Sequence, residues 1–274
     1  VADALSASGS EDQAAPVVIT LHATDTLPGT GGASFQLAGL PANGTLYTDA
    51  AMTQLATTSA TYTATVNGEF VLYFKPDADW NGSTSFDYTA ADVVGNVSSP
   101  ATVAIDVSPV NDAPVNTLPV GPLAGTEDTA QVISGLAISD VDAGSGSMTV
   151  MLAVTNGSLT VTGGSAIIAG SGSDTVTLTG TVAEINATLA APNSVTYTPV
   201  ADFNGAATLT MTTTDNGNTG PDGAKSDTDT VTINLAPVAD IADDTAATSE
   251  DNAITISVLA NDSFENTGRT ITAV

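Results

Sequence analysis

The chain has 274 residues, 3 of them Lys or Arg and 30 Asp or Glu, for a formal net charge of −27. Nucleic acid and anionic membrane both require a basic face, so this balance excludes them as partners and points to cations instead. Cysteine is absent, which excludes disulfides and thiolate metal sites, and no stretch approaches the ~20 apolar residues that cross a bilayer as a helix.

Aromatic residues make up only 4% while Thr, Val, Ala and Gly abound, a strand-and-turn composition. The chain opens on Val1-Ala2-Asp3 and soon reaches a Glu11-Asp12 pair. His22, the sole histidine, stands beside Leu21 near a strand end and reads as structural. Val71, Tyr73, Phe86, Tyr88, Val103, Ile105 and Val107 mark alternating positions, as expected of strands with one buried face. In the phrase Pro76-Asp77-Ala78-Asp79-Trp80-Asn81-Gly82, the Asn-Gly pair supplies positive φ for a turn before the next strand. Trp80 is expected to plug one end of the core. Further on, Thr181 to Ala190 places Val182, Ile185 and Leu189 at helical spacing, with Thr181 as N-cap and Pro192 as the stop. At about ten residues such a helix is marginal alone and must lean on a sheet.

The same phrases return along the chain. Pro-Val occurs at 114–115 and 237–238, Val238-Ala239-Asp240 matches the opening, and Glu127-Asp128 and Glu250-Asp251 match Glu11-Asp12. Pro199-Val200-Ala201-Asp202-Phe203-Asn204-Gly205 repeats the Trp80 phrase, and Leu209 and Met211 follow Phe203 as Phe86 and Tyr88 follow Trp80. Repeats of about 115–120 residues exceed solenoid units of roughly 20–50 and fit whole domains in tandem. The expected fold is all-β: antiparallel β-sandwiches at 1–108 and 109–236, elongated like beads on a string, with 237–274 opening a third, incomplete repeat. There Ile254-Thr255-Ile256 and Ile271-Thr272-Ala273-Val274 read as strands, whose apolar residues need cover from another copy or a continuing chain.

The phrases resemble the cadherin-like, Ig-like tandem repeats of giant bacterial RTX-type adhesins and biofilm-associated surface proteins. The matching words are Val110-Asn111-Asp112-Ala113-Pro114, the Glu-Asp pairs, Ser139-Asp140-Val141-Asp142, the Asp-aromatic-Asn-Gly phrases, and Asp227 to Ile233. The resemblance implies secreted, extracellular sandwiches on a bacterial cell surface, stiffened by Ca²⁺ between domains and serving as extenders in cell adhesion. Lack of cysteine also leans bacterial. By the same resemblance the metal ligands are Asp140, Asp142 and Asp215, with Asn111 and Asp112 from the linker and Glu11 from the preceding domain. Calcium takes six to eight oxygens, which such a set begins to supply. Plain Asx turns are the rival reading of these loops. In the first repeat Asp25 is followed by Leu27 where a second acid belongs. The second junction lacks the Asn-Asp pair and leaves Glu127, Asp240 and Asp262 as weaker candidates.

Among function classes, a non-enzymatic stalk leads, its partners being neighbouring repeats and other copies of the chain. A glycan- or surface-binding module, or a filament subunit, is the alternative, though the few aromatics are committed to strands by their spacing. The row Thr208, Thr210, Thr212, Thr214 invites an ice-binding reading but is ordinary for the wet face of a strand. An enzyme is not expected, since His22 is alone and no nucleophile elbow or phosphate loop occurs.

Overall fold

The computed structural model describes residues 1–24, 34–65, 68–238, 241, 243–259 and 262. They fall into two compact units: Val1–Asp112 together with Gly217–Gly223, and Ala113–Asn216 together with the chain from Ala224 onward. Among the described residues no helix is long and apolar enough to cross a membrane.

The first unit carries β1 (Leu5–Ser10), β2 (Val17–His22), β3 (Ser34–Leu37), β4 (Gly44–Tyr47), β5 (Tyr62–Thr63), β6 (Glu69–Pro76), β7 (Gly82–Ala91) and β8 (Ala101–Ser108). Two sheets result, in the orders β1-β8-β7-β3-β5 and β2-β6-β4. Their inner faces share one core: Ile19, Leu72 and Phe74 from one sheet meet Phe35, Tyr88 and Ile105 from the other. Period-two patterning builds this, because alternate side chains of a strand leave by opposite faces. Phe86, Tyr88, Val103, Ile105 and Val107 are buried as expected. In β6 the phase is the reverse of the expected one: Leu72 and Phe74 are buried, while Val71 and Tyr73 lie on the outer face. Both phases of that strand are apolar, so alternation alone could not choose, and a shift by one residue turns every side chain over. Trp80 packs partly buried against this core, in keeping with a plug.

Pairing is antiparallel throughout this unit except at its start. Ala2 bridges Ala23 in antiparallel fashion, and the chain then crosses to the other sheet, where β1 runs parallel to β8 over six residue pairs. Buried Tyr88 fixes the crossing: its hydroxyl lies 2.7 Å from the carbonyls of both Asp3 and His22 and accepts the Asp3 N–H at 3.1 Å. His22 Nδ1 sits 2.6 Å from the Asp3 carboxylate, and that contact holds the Asp3 carboxyl below its usual range.

The second unit carries β9 (Val115–Thr117), β10 (Leu123–Thr126), β11 (Gln131–Val132), β12 (Ala137–Ser139), β13 (Met148–Val154), β14 (Gly157–Val161), β15 (Ile167–Ala169), β16 (Thr175–Gly180), α1 (Val182–Leu189), β17 (Val195–Pro199), β18 (Gly205–Thr214) and β19 (Ser226–Ala236). A six-stranded sheet, β10-β19-β18-β13-β16-β15, is completed by β11-β17-β14 and by the pair β12-β9. Again the opening segment divides, β9 pairing antiparallel with β12 and β10 parallel with β19. Leu209 and Met211 are fully buried, and Phe203 packs against the core as Trp80 does in the first unit.

Helix α1 starts with a complete capping box, Thr181 and Glu184 each satisfying the other's backbone N–H. Ile185 and Leu189 are buried against the sheets. From the same helix Asn186 makes two bonds of 2.8 Å to the N–H and C=O of Ile138, so a side-chain amide replaces a neighbouring strand for β12. In 237–274, Ile254 and Ile256 are exposed and form no strand, against expectation; two short apolar words without a partner sheet have nothing to pair with. The second expected strand, 271–274, lies outside the described residues.

Candidate metal centres

After β1 the first unit turns at Asp12, whose φ is 56°. The turn points Glu11 inward. Glu11 is fully buried, and its carboxylate accepts from Asn81 Nδ2 at 3.2 and 3.3 Å and from the Val110 N–H at 2.8 Å. Charge-assisted bonds of this kind stabilise a buried carboxylate and tether the segment leading out of β8. Asn111 is 1% exposed and donates to the Gly223 carbonyl at 2.9 Å. Gly220, at φ 78°, passes so close that a Cβ there would stand 2.5 Å from the Asn111 nitrogen. Beside Glu11, the Asp12 carboxylate accepts the N–H of Asp79, itself at φ 55°. Asp12, Asp79 and Asp112 each offer a carboxylate oxygen, and the three oxygens lie within 4.8 Å of one another. Asp12 and Asp79 are exposed and Asp112 half-buried, so water screens part of their mutual repulsion, and the three oxygens are placed where one cation could reach them all.

The second unit repeats the buried-glutamate tether and the contact between two left-handed aspartates. Glu127, 1% exposed, accepts from Asn204 Nδ2 at 3.1 Å and from the Val238 N–H. Asp128 accepts the N–H of Asp202 at 3.0 Å, and both residues have positive φ, 56° and 57°. The tether and the aspartate pair are therefore present where the sequence lacks the Asn-Asp pair. Asp240, which follows Val238 as Asp112 follows Val110, lies outside the described residues, and Asp262 is half-buried.

Of the expected ligands, Glu11, Asn111 and Asp112 belong to the first unit and Asp140, Asp142 and Asp215 to the second. Asp140 follows β12 directly, so the Asn186 clasp on Ile138 fixes where it stands. Its Oδ1 accepts the N–H groups of Asp142 and Ala143, both at 2.9 Å. That is an Asx turn, as the rival reading expects. The turn leaves Oδ2 buried with no hydrogen-bond partner. Burial pushes the Asp140 carboxyl above its usual range, and the charges of Asp142 and Asp215 push it further. Asp215, 1% exposed, accepts the Lys225 N–H at 2.8 Å. A buried carboxylate oxygen without a donor, under the charges of two further carboxylates, is stabilised by a proton or by a hard, oxygen-seeking cation.

Asp25 and Leu27 lie outside the described residues. Asp12 and Asp79 are not among the ligands expected from the sequence. The signal that could have found them is their recurrence as Asp128 and Asp202, each within a repeated phrase.

No protein-family profile and no curated protein matches the chain. Among solved structures it is similar to protocadherin gamma B2 extracellular cadherin domains 1–5, with 14% identity over 86% of this chain and 38% of that one, at a TM-score of 0.44. Mouse cadherin-23 EC22–24 gives 17% identity over 85% and 63%, at 0.43. Mouse protocadherin-24 EC1–3 gives 16% over 85% and 68%, at 0.39. The chain spans less than two thirds of the first two structures.

Proposed function

We propose that this chain is a non-enzymatic, extracellular stalk segment of a large repetitive bacterial surface adhesin, stiffened by calcium at the junctions between its repeats. The repeats are those read from the sequence, 1–108, 109–236 and a third beginning at 237. The observation that carries the reading is the gathering of the Asp12, Asp79 and Asp112 carboxylates beside fully buried Glu11, in a chain with 3 Lys and Arg in total to neutralise them.

In this reading Glu11, Asp12, Asp79, Asn111 and Asp112 hold an ion for the first unit, and Asp140, Asp142 and Asp215 are the donors that the second unit offers. Calcium would supply charge neutralisation and draw these oxygens into one rigid arrangement. The protein's own part is to prepare the cage: Asn81 orients Glu11, and the Asx turn presents Asp140. Extracellular modules typically bind calcium with constants of about 10⁻⁴–10⁻³ M, so millimolar calcium fills such sites. Isothermal titration and thermal melting of the 274-residue chain test this. Calcium is expected to bind with a measurable heat and to raise the melting temperature. Chelator should lower it again and, in X-ray scattering, broaden the distribution of inter-unit distances. Identical melting curves with chelator and with millimolar calcium, together with no heat of binding, would overturn the proposal.

A further inference from the structure

The outer face of the six-stranded sheet in the second unit carries no charge. Within β10, β13, β15, β16, β18 and β19 the only ionisable side chains are Asp227 and Asp229. Both have the parity of buried Val231; Asp227 accepts the Asn116 N–H on the inner side, while Asp229, paired with Met211, is itself exposed. The outward positions are instead hydroxyl rows in register. Thr210 pairs with Thr230, Thr212 with Thr228, and Thr214 with Ser226. The rows continue across β13 through Thr149, which pairs with both Thr214 and Thr179. By contrast, the corresponding face of the first unit exposes Asp87 and Asp106 on β7 and β8. The strands β11, β17 and β14 of the same unit are also free of charged residues, but the six-stranded sheet presents the larger neutral face, in a chain of net charge −27.

We propose that this face is a self-association surface, on which a second copy of the chain docks with the same face. Two copies of so acidic a chain repel one another, and a face without charge is where approach costs least. Hydroxyls both donate and accept, so a hydroxyl face is complementary to itself, as a two-fold interface requires. Several are already satisfied sideways, Thr212 to Thr228 at 3.0 Å and Thr214 to Ser226 at 2.8 Å, which lowers the cost of drying them. Met151 at 40% and Ile167 at 72% exposure add apolar contact on the same face. Six strands about 4.8 Å apart and roughly seven residues long give a face on the order of 700 Å². That approaches the ~800 Å² per partner of a standard interface. A basic partner finds no carboxylate here, and a sugar finds no aromatic ring to stack on.

Sedimentation velocity of the whole chain over a concentration series, with calcium held constant, tests the proposal. The wild type is expected to show a reversible monomer–dimer equilibrium. Thr212→Glu with Thr230→Glu places like charges face to face and should weaken the dimer at least ~10-fold, with an unchanged circular dichroism spectrum. Should that pair fail to fold, Met151→Glu at its half-exposed position serves in its place. Ser85→Glu with Ala104→Glu adds the same charge to the first unit and should leave the dimer within about twofold of wild type. A wild type that stays monomeric throughout, or a control pair that dissociates the dimer equally, overturns the proposal. So does a monomer that soluble uncharged glucan retards through the Thr212 and Thr230 face, which would assign the face to a glycan.

Discussion

Replacing Asp140 by Asn separates the two halves of the calcium argument. The side-chain oxygen that accepts the N–H groups of Asp142 and Ala143 is retained, so the turn should persist. What changes is Oδ2, buried and without a hydrogen-bond partner, which becomes an NH₂ able to donate toward neighbouring carboxylates. In chelator at neutral pH the variant should therefore melt above the wild type, because a carboxylate whose ionisation is opposed by burial and by Asp142 and Asp215 is removed. Folding raises the pKa of this carboxyl, so the folded wild type holds the proton more tightly than the unfolded chain does. Its handicap is thus present above the folded-state pKa and fades as pH falls through that value, so the two curves should converge in acid. In calcium the order reverses. At about ten times the dissociation constant a bound ion adds ~1.4 kcal/mol, a rise of roughly 6 °C or more for a domain near 100 residues. The variant should keep less than half of that rise. Scanning calorimetry in chelator and in millimolar calcium, at neutral and acid pH, provides the four conditions needed. A variant that melts below the wild type in chelator, or that keeps the full calcium increment, refutes the reasoning.

Three further outcomes are expected. Gly220→Ala sets a Cβ 2.5 Å from the Asn111 nitrogen at φ 78°, and should cost about 1–3 kcal/mol while weakening calcium binding, as read by melting and titration. Asn186→Ala leaves the N–H and C=O of Ile138 without their clasp, so the Ile138 amide should exchange with deuterium faster and stability should fall by about 1–3 kcal/mol. Leu72→Ala should cost about 2–5 kcal/mol by opening a cavity, whereas Tyr73→Ala on the outer face should cost well under half as much; equal losses in urea titrations would show that the phase of β6 is wrong.

Much of the sandwich is legible in the sequence because burial on one face leaves a mark at every second residue. Phe86, Tyr88, Val103 and Ile105 carry that mark cleanly, and Thr181, at the head of an apolar run with helical spacing, announces the helix as its N-cap. Where both faces are apolar, as from Phe70 to Phe74, the mark vanishes and the choice passes to tertiary packing. The parallel run of β1 beside β8 has no local signal either, since nothing in six residues records which neighbour they meet. Asp12 and Asp79 are hidden for a related reason. Their positions depend on left-handed backbone at two distant turns, and sequence shows only that Asp tolerates such a conformation. The acids' recurrence is visible, but not which carboxylates gather.

The parallel pairing of an early strand with the last one decides how each unit answers a pull along the chain. Tension enters at the start of β1 and leaves at the end of β8, so the two strands are drawn past each other lengthwise. All six of their residue pairs then load at once in shear, and none can peel away ahead of the others. In the second unit only four pairs join β10 to β19. That clamp is the shorter one, and the pull reaches it only through β9, whose three antiparallel pairs with β12 are loaded before it.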